Sequence, residues 1–139
     1  MTDNQDHCLV SPFPWPDTPA LVTAYNLLVA ASTADDATKL ALGNPAKLAR
    51  PWDPPTCTDR QLRAELWIWL DQFVTWFNHE YVWDPNAGMI PTCWPLHPHL
   101  IHEIGVLADQ RRRAALALNS NALEEWHRYS VRSEEHTSE

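Results

Sequence analysis

The sequence predicts an all-α fold, a compact helical bundle of about four main helices joined by connectors rich in proline and tryptophan. Three observations predict it. Apolar residues recur at three- and four-residue spacing through most of the chain, and no alternating run suggests a strand. Most helical stretches open on Ser, Thr, Asp or Asn, or on a proline, as helix N-termini favour. The interruptions are stiff, because twelve prolines stand against three glycines.

Residues 1–17 form an extended arm in which Ser11-Pro12-Phe13-Pro14-Trp15-Pro16 alternates proline with aromatics and cannot be helical. Phe13 or Trp15 is expected to pin it to the domain. Thr18-Pro19 starts a helix, and Leu21, Val22, Tyr25, Leu28 and Val29 follow at helical spacing. Ser32 to Asp36 offers a second cap for a short helix ending at Gly43, and Asn44-Pro45 opens one more turn. Pro51-Trp52-Asp53-Pro54-Pro55-Thr56-Cys57 reads as a rigid connector.

Thr58 with Gln61 reads as a capping box, with Asp59 adding negative charge to the first turn. The longest helix follows, its apolar stripe marked by Leu62, Leu66, Trp69, Leu70, Phe73, Trp76, Phe77 and Tyr81. Trp67 falls beside the stripe, so this helix is central to a core or carries a partner face. Asp84-Pro85-Asn86-Ala87-Gly88 is a turn by composition. A helix then runs from Pro98, with His97 at its N-cap, to about Leu118, burying Leu100, Ile101, Ile104, Leu107, Ala108, Ala115 and Leu118. Asn121 with Glu124 reads as a further capping box, opening a last amphipathic helix around Leu123 and Trp126. Trp126 is expected to pack inward against Trp94 or the long helix.

The parts are therefore the arm (1–17), a single helical domain (18–131) and a tail (132–139). The tail, Arg132-Ser133-Glu134-Glu135-His136-Thr137-Ser138-Glu139, matches the in-frame translation of a common sequencing adapter. It reads as an artefact that cuts the last helix short at about Val131, and its side chains are left out of every candidate site.

Composition is globular, with 45% hydrophobic residues, and 139 residues can bury a proper core. The net charge of −8 argues against a general nucleic-acid binder or an anionic-membrane binder. No apolar run is long enough for a membrane span, nothing resembles a signal peptide, and three widely spaced cysteines make no disulfide framework. A cytoplasmic, bacterial setting is expected. Eight arginines against two lysines, with abundant alanine and proline, suggest a GC-rich genome.

Trp67 and Trp76 in a helix, Ile90-Pro91-Thr92-Cys93-Trp94, His97-Pro98, then Glu103, Leu107 and Trp126-His127 carry a resemblance over about residues 50–130. The Cys-Trp-x-x-His-Pro and Trp-His elements are similar to those of an uncharacterised family of small actinobacterial proteins associated with mobile elements and phages. The resemblance implies a helical fold and a mobile-element setting, and no mechanism. In that family the last helix continues past the Trp-His pair.

Four chemistries are in view. Cys93, His97, His99 and His102 span ten residues, and such donors suit zinc, the one cofactor in question. Their spacing matches no zinc-finger pattern, and helix capping with solvated or core imidazoles is the stronger reading. Cys93 before a helix N-terminus invites a nucleophile with a histidine base, yet no oxyanion hole or orienting partner is recognisable, so no catalytic residue is assigned. His79-Glu80 lacks the second histidine of a metalloprotease helix, since position 83 is Trp. Arg111-Arg112-Arg113 sweep about 200° around a helix, too wide for one phosphate-tracking stripe, and read as a solvated helix end. Eight tryptophans exceed what a small bundle needs, so Trp15, Trp52, Trp67, Trp83 and Trp94 are candidates for protein contact. The expected function is a non-enzymatic accessory or interaction protein with a protein partner. The alternatives are a zinc-binding helical protein and, behind it, a DNA-associated accessory factor.

Overall fold

The computed structural model describes residues 9–82 and 88–137, and among them the fold is all-α. Five helices follow in order: α1 (Pro19–Thr33), α2 (Asp36–Leu42), α3 (Arg60–Tyr81), α4 (Pro98–Leu116) and α5 (Asn121–Thr137). Three single 3₁₀ turns, Pro45–Lys47, Pro54–Thr56 and Trp94–Leu96, shape the connectors. The four main helices and the short α2 match the sequence reading. The turn expected at Asp84–Gly88 falls, but for Gly88, outside the described residues.

The long helix α3 is central and packs against both α1 and α4, while α4 also carries α5 and the connectors. Its stripe is buried as the period requires: Leu66, Leu70, Phe73 and Phe77 are fully enclosed and Trp69 and Trp76 nearly so. Leu21, Ala24 and Tyr25 of α1, Ile104 and Ala108 of α4 and Trp126 of α5 close the core around it. Trp126 packs between Phe73, Trp76, Phe77 and Tyr81 of α3 and donates its indole N–H to the Leu107 carbonyl at 3.0 Å. Of the two sites expected for it, it takes the long helix.

Helix ends differ from expectation by one residue or one partner. The N-cap of α3 is Asp59, whose carboxylate accepts the Leu62 N–H at 3.0 Å, one residue past Thr58. Gln61 turns forward to Glu65 (2.9 Å) instead of closing a box. Glu65 in turn accepts the Leu21 N–H of α1 at 3.0 Å, serving an end whose Thr18 side chain gives no cap bond. Hydrogen bonds from Gln61 and then from α1 hold the Glu65 carboxyl below its ordinary range. At the start of α5, Asn121 N–H bonds Asn119 and Glu124 pairs with Arg128, so no capping box forms there.

One further expectation is corrected. Helix α4 stops at Leu116, so Leu118 is fully exposed and Ala114, not Ala115, faces inward. Helix α5 continues to Thr137 through the adapter-like residues, which contain no Gly or Pro to end it.

The connectors are clamped rather than loose. In Pro51–Cys57, Pro51, Pro54 and Cys57 are buried, and Thr56 Oγ1 accepts the Arg50 N–H at 2.8 Å. The segment lies on α4 at Gly105, where an added Cβ would stand 3.1 Å from the Trp52 carbonyl oxygen. A backbone that close favours glycine, since any side chain there would push the connector by a few tenths of an ångström.

Candidate functional site

The Cys-Trp-His block splits in two. The turn Trp94–Leu96 drives Trp94 inward, where it is 1% exposed with its ring 5.8 Å from that of Trp67. Cys93 stays outside, and His97, at the N-cap position of α4, brings Nε2 to 3.4 Å from the Cys93 sulfur. His99 lies 6.1 Å from His97, ring to ring, and lines a different surface together with His102 and Glu103. Among the described residues no three His, Cys, Asp or Glu side chains come together in a metal-holding group. The four-ligand zinc site of the alternative reading, Cys93, His97, His99 and His102, is not assembled among the described residues. His99 and His102 line the α4–α5 cleft with Glu103, whereas Cys93 and His97 do not.

The tryptophans offered for protein contact also divide. Trp94 is core, so its assignment to a partner face is corrected. Trp52 is half-buried beneath the Arg113 guanidinium, 5.1 Å from its ring centre, and is occupied within the chain. Trp67 is half-buried against Trp94. Trp15 stays 43% exposed and stands edge-on to Phe13, which is the residue that pins the arm. Trp83 lies outside the described residues.

Of the arginine run, only Arg113 is an exposed cation in the last turn of α4; Arg111 and Arg112 are half-buried, so the solvated-end reading is corrected for those two. Arg111 sits among the rings of Phe13, Trp76 and Trp126, at 5.1, 5.5 and 5.8 Å. Arg112 lies 3.6 Å from the Tyr25 ring centre, and Arg113 binds Asp109 at 2.7 Å. Asp109, 4% exposed, also accepts the Tyr25 hydroxyl proton at 3.0 Å. The wide sweep of three consecutive residues sends the guanidiniums to different rings, while Arg112 and Arg113 share Asp109. Sequence reasoning missed this polar centre. Its one signal was an Asp109 three and four residues before Arg112 and Arg113, the spacing of helical ion pairs.

What the fold leaves open is a cleft of about 720 Å³ between α4, α5 and the Gly88–Pro91 segment. Met89, Val106 and Tyr129 line it while remaining 42, 42 and 66% exposed. Ile90, Leu100 and Leu107 form more of its wall, and His99, His102, Glu103 and Gln110 supply polar groups. The lining is mostly apolar with a few polar groups, as in ligand and partner sites. Val106 was the available signal, an apolar residue of α4 outside the buried face.

Among the described residues, fold and surface together define an all-α five-helix domain, closed by an aromatic–arginine centre and carrying an open apolar cleft on α4 and α5. No protein-family model, no curated protein and no solved structure matches the chain.

Proposed function

We propose that this is a non-enzymatic interaction protein, an accessory factor of a bacterial mobile element as the family resemblance implies, which holds a protein partner in the α4–α5 cleft. The observation that carries the reading is the convergence of Met89, Val106 and Tyr129 on one open surface, where three large side chains stay in water. Burying such a group stabilises a complex by about 1.5–3 kcal/mol per side chain before the costs of association.

Charge supports a basic partner. Arg50 and Arg63 donate to main-chain carbonyls, Arg111, Arg112 and Arg113 serve the aromatic centre, and Arg128 pairs with Glu124. Six of the eight arginines are engaged in this way within a chain of net charge −8, which favours a partner of positive charge. The same engagement weighs against a DNA-associated role, which needs guanidinium groups free to meet phosphates.

The test is a photo-reactive amino acid placed at Val106 and, separately, at exposed Ala115 of the same helix. In the host cell the Val106 probe is expected to give one discrete adduct that Met89→Asp abolishes, with none at Ala115. Equal, diffuse labelling at both positions would sink the proposal.

A further inference from the structure

The arm lies along α3 in the way a peptide lies in a receptor groove. Residues 9–17 adopt neither helix nor strand, and they are held largely through their main chain. The Trp76 indole N–H donates to the Ser11 carbonyl at 2.9 Å, and the Trp69 indole N–H donates to the Pro14 carbonyl at 2.7 Å. The Ser11 N–H donates to the Glu80 carboxylate at 3.1 Å. Between these points the Phe13 ring stands edge-on to Trp69, Phe73 and Trp76, at 6.4, 6.3 and 5.4 Å, with the Arg111 guanidinium 5.1 Å away.

The spacings match. Ser11 and Pro14 are three residues apart, one turn of a polyproline II strand, or about 9 Å. Trp69 and Trp76 are seven apart, two turns of α-helix, or about 10.5 Å. Two indole donors on one helix face therefore meet carbonyls three residues apart along an extended, proline-rich arm. Glu80, the next turn along, takes the amide at the strand's other end, so the strand runs antiparallel to α3. Aromatic faces combined with donors to main-chain carbonyls are how aromatic-lined grooves hold proline-rich peptides, whose preformed backbone loses little entropy on binding.

The arm also carries the marks of a replaceable occupant. Leu9 and Trp15 are 87 and 43% exposed, so part of its side-chain surface lies outside the domain. Beyond the buried Pro16 it joins α1 through the exposed Asp17 and then Thr18. We infer that α3 with Arg111 forms a binding groove for an extended Pro-aromatic-Pro peptide, and that residues 11–16 are its resident intramolecular occupant. A partner segment of that chemistry enters where the arm is displaced. This groove is separate from the α4–α5 cleft, and neither reading depends on the other.

The test uses the full chain with a site-specific protease sequence inserted between Pro16 and Asp17, cleaved after folding, and a fluorescein-labelled peptide of residues 9–16. Saturable binding by anisotropy is expected, weakened at least about tenfold when the peptide carries Phe13→Ala, since its apolar anchor is lost. Trp76→Phe in the protein should weaken it as well, by removing one donor. Uncut Phe13→Ala protein should bind the wild-type peptide more tightly than uncut wild type, whose tethered arm competes at an effective concentration of about millimolar. The inference is overturned if the cleaved protein keeps its helical circular dichroism but takes no peptide, or takes both peptides equally. Cleaved protein that unfolds overturns it too, because the arm is then core and not ligand. So does an uncut Phe13→Ala protein that binds no better than wild type.

Discussion

The Arg112 guanidinium lies 3.6 Å from the centre of the Tyr25 ring, and both side chains turn to one buried carboxylate, Asp109. This contact ties α1 to α4 across the face of α3. It also gives the arginine run a purpose that needs no nucleic acid. Arg113 completes the cluster on the other carboxylate oxygen, so Asp109 answers a hydroxyl and two cations at once.

Removing that carboxylate leaves Arg112, 12% exposed at its side chain, without a counter-charge. Asp109→Ala should cost about 3–5 kcal/mol, the range for stranding one partner of a buried pair. Urea unfolding followed by circular dichroism checks this, and a loss under about 1 kcal/mol would show the cluster to be ornamental.

Burial, and after it the Asp109 charge, push the Tyr25 phenol well above its ordinary value. Burial raises Tyr81 in the same direction. The unfolded chain loses these protons first, near pH 10. The stability they contribute is therefore fully present below about pH 10 and lost as pH rises towards the folded values. Midpoints of urea unfolding should fall steadily above about pH 10, and Tyr25→Phe should shrink that slope.

Much of the fold was legible because period and caps are local. The α3 stripe, the Asp35–Gly43 boundaries of α2 and the Pro98 start of α4 follow from spacing, a capping aspartate and a proline at the first helical position. Side-chain destinations were not legible. The identity of Arg111 does not reveal that Phe13, nearly one hundred residues earlier, brings a ring to it. In the Cys-His block the alternative zinc reading rested on closeness in sequence, whereas Trp94 is buried at its turn and His99 and His102 line the α4–α5 cleft without Cys93 or His97. The cleft was invisible because it is made by a loop and two helices that only tertiary packing brings together.

Gly105 is a sharp probe of the connector. A mid-helix Gly→Ala change ordinarily stabilises by about 1 kcal/mol. Here the new methyl meets the Trp52 carbonyl oxygen at 3.1 Å and the Pro54 ring at 3.2 Å, both on a proline-stiffened segment. Gly105→Ala should therefore lower the thermal midpoint, with Gly105→Val worse. A rise with Ala would mean that the connector yields.

Cys93 and His97 supply two donors where a structural zinc takes four. Incubation with a chelator should leave the thermal midpoint unchanged, as should Cys93→Ser at this exposed position. Cys57, fully buried, should react with a thiol reagent only on unfolding, while Cys93 reacts in the native state. A background of Cys8→Ser keeps the two signals separate.

The central structural claim is that the arginine run belongs to the fold and is not held out for a ligand. The most direct measurement is a double-mutant cycle in urea unfolding, with Asp109→Asn, Arg112→Gln and the pair combined. A coupling of at least about 1 kcal/mol between the two sites is expected for contacting charges. Strictly additive losses, each within about 0.5 kcal/mol of zero, would contradict the claim and return Arg112 to the surface as a residue free for a partner.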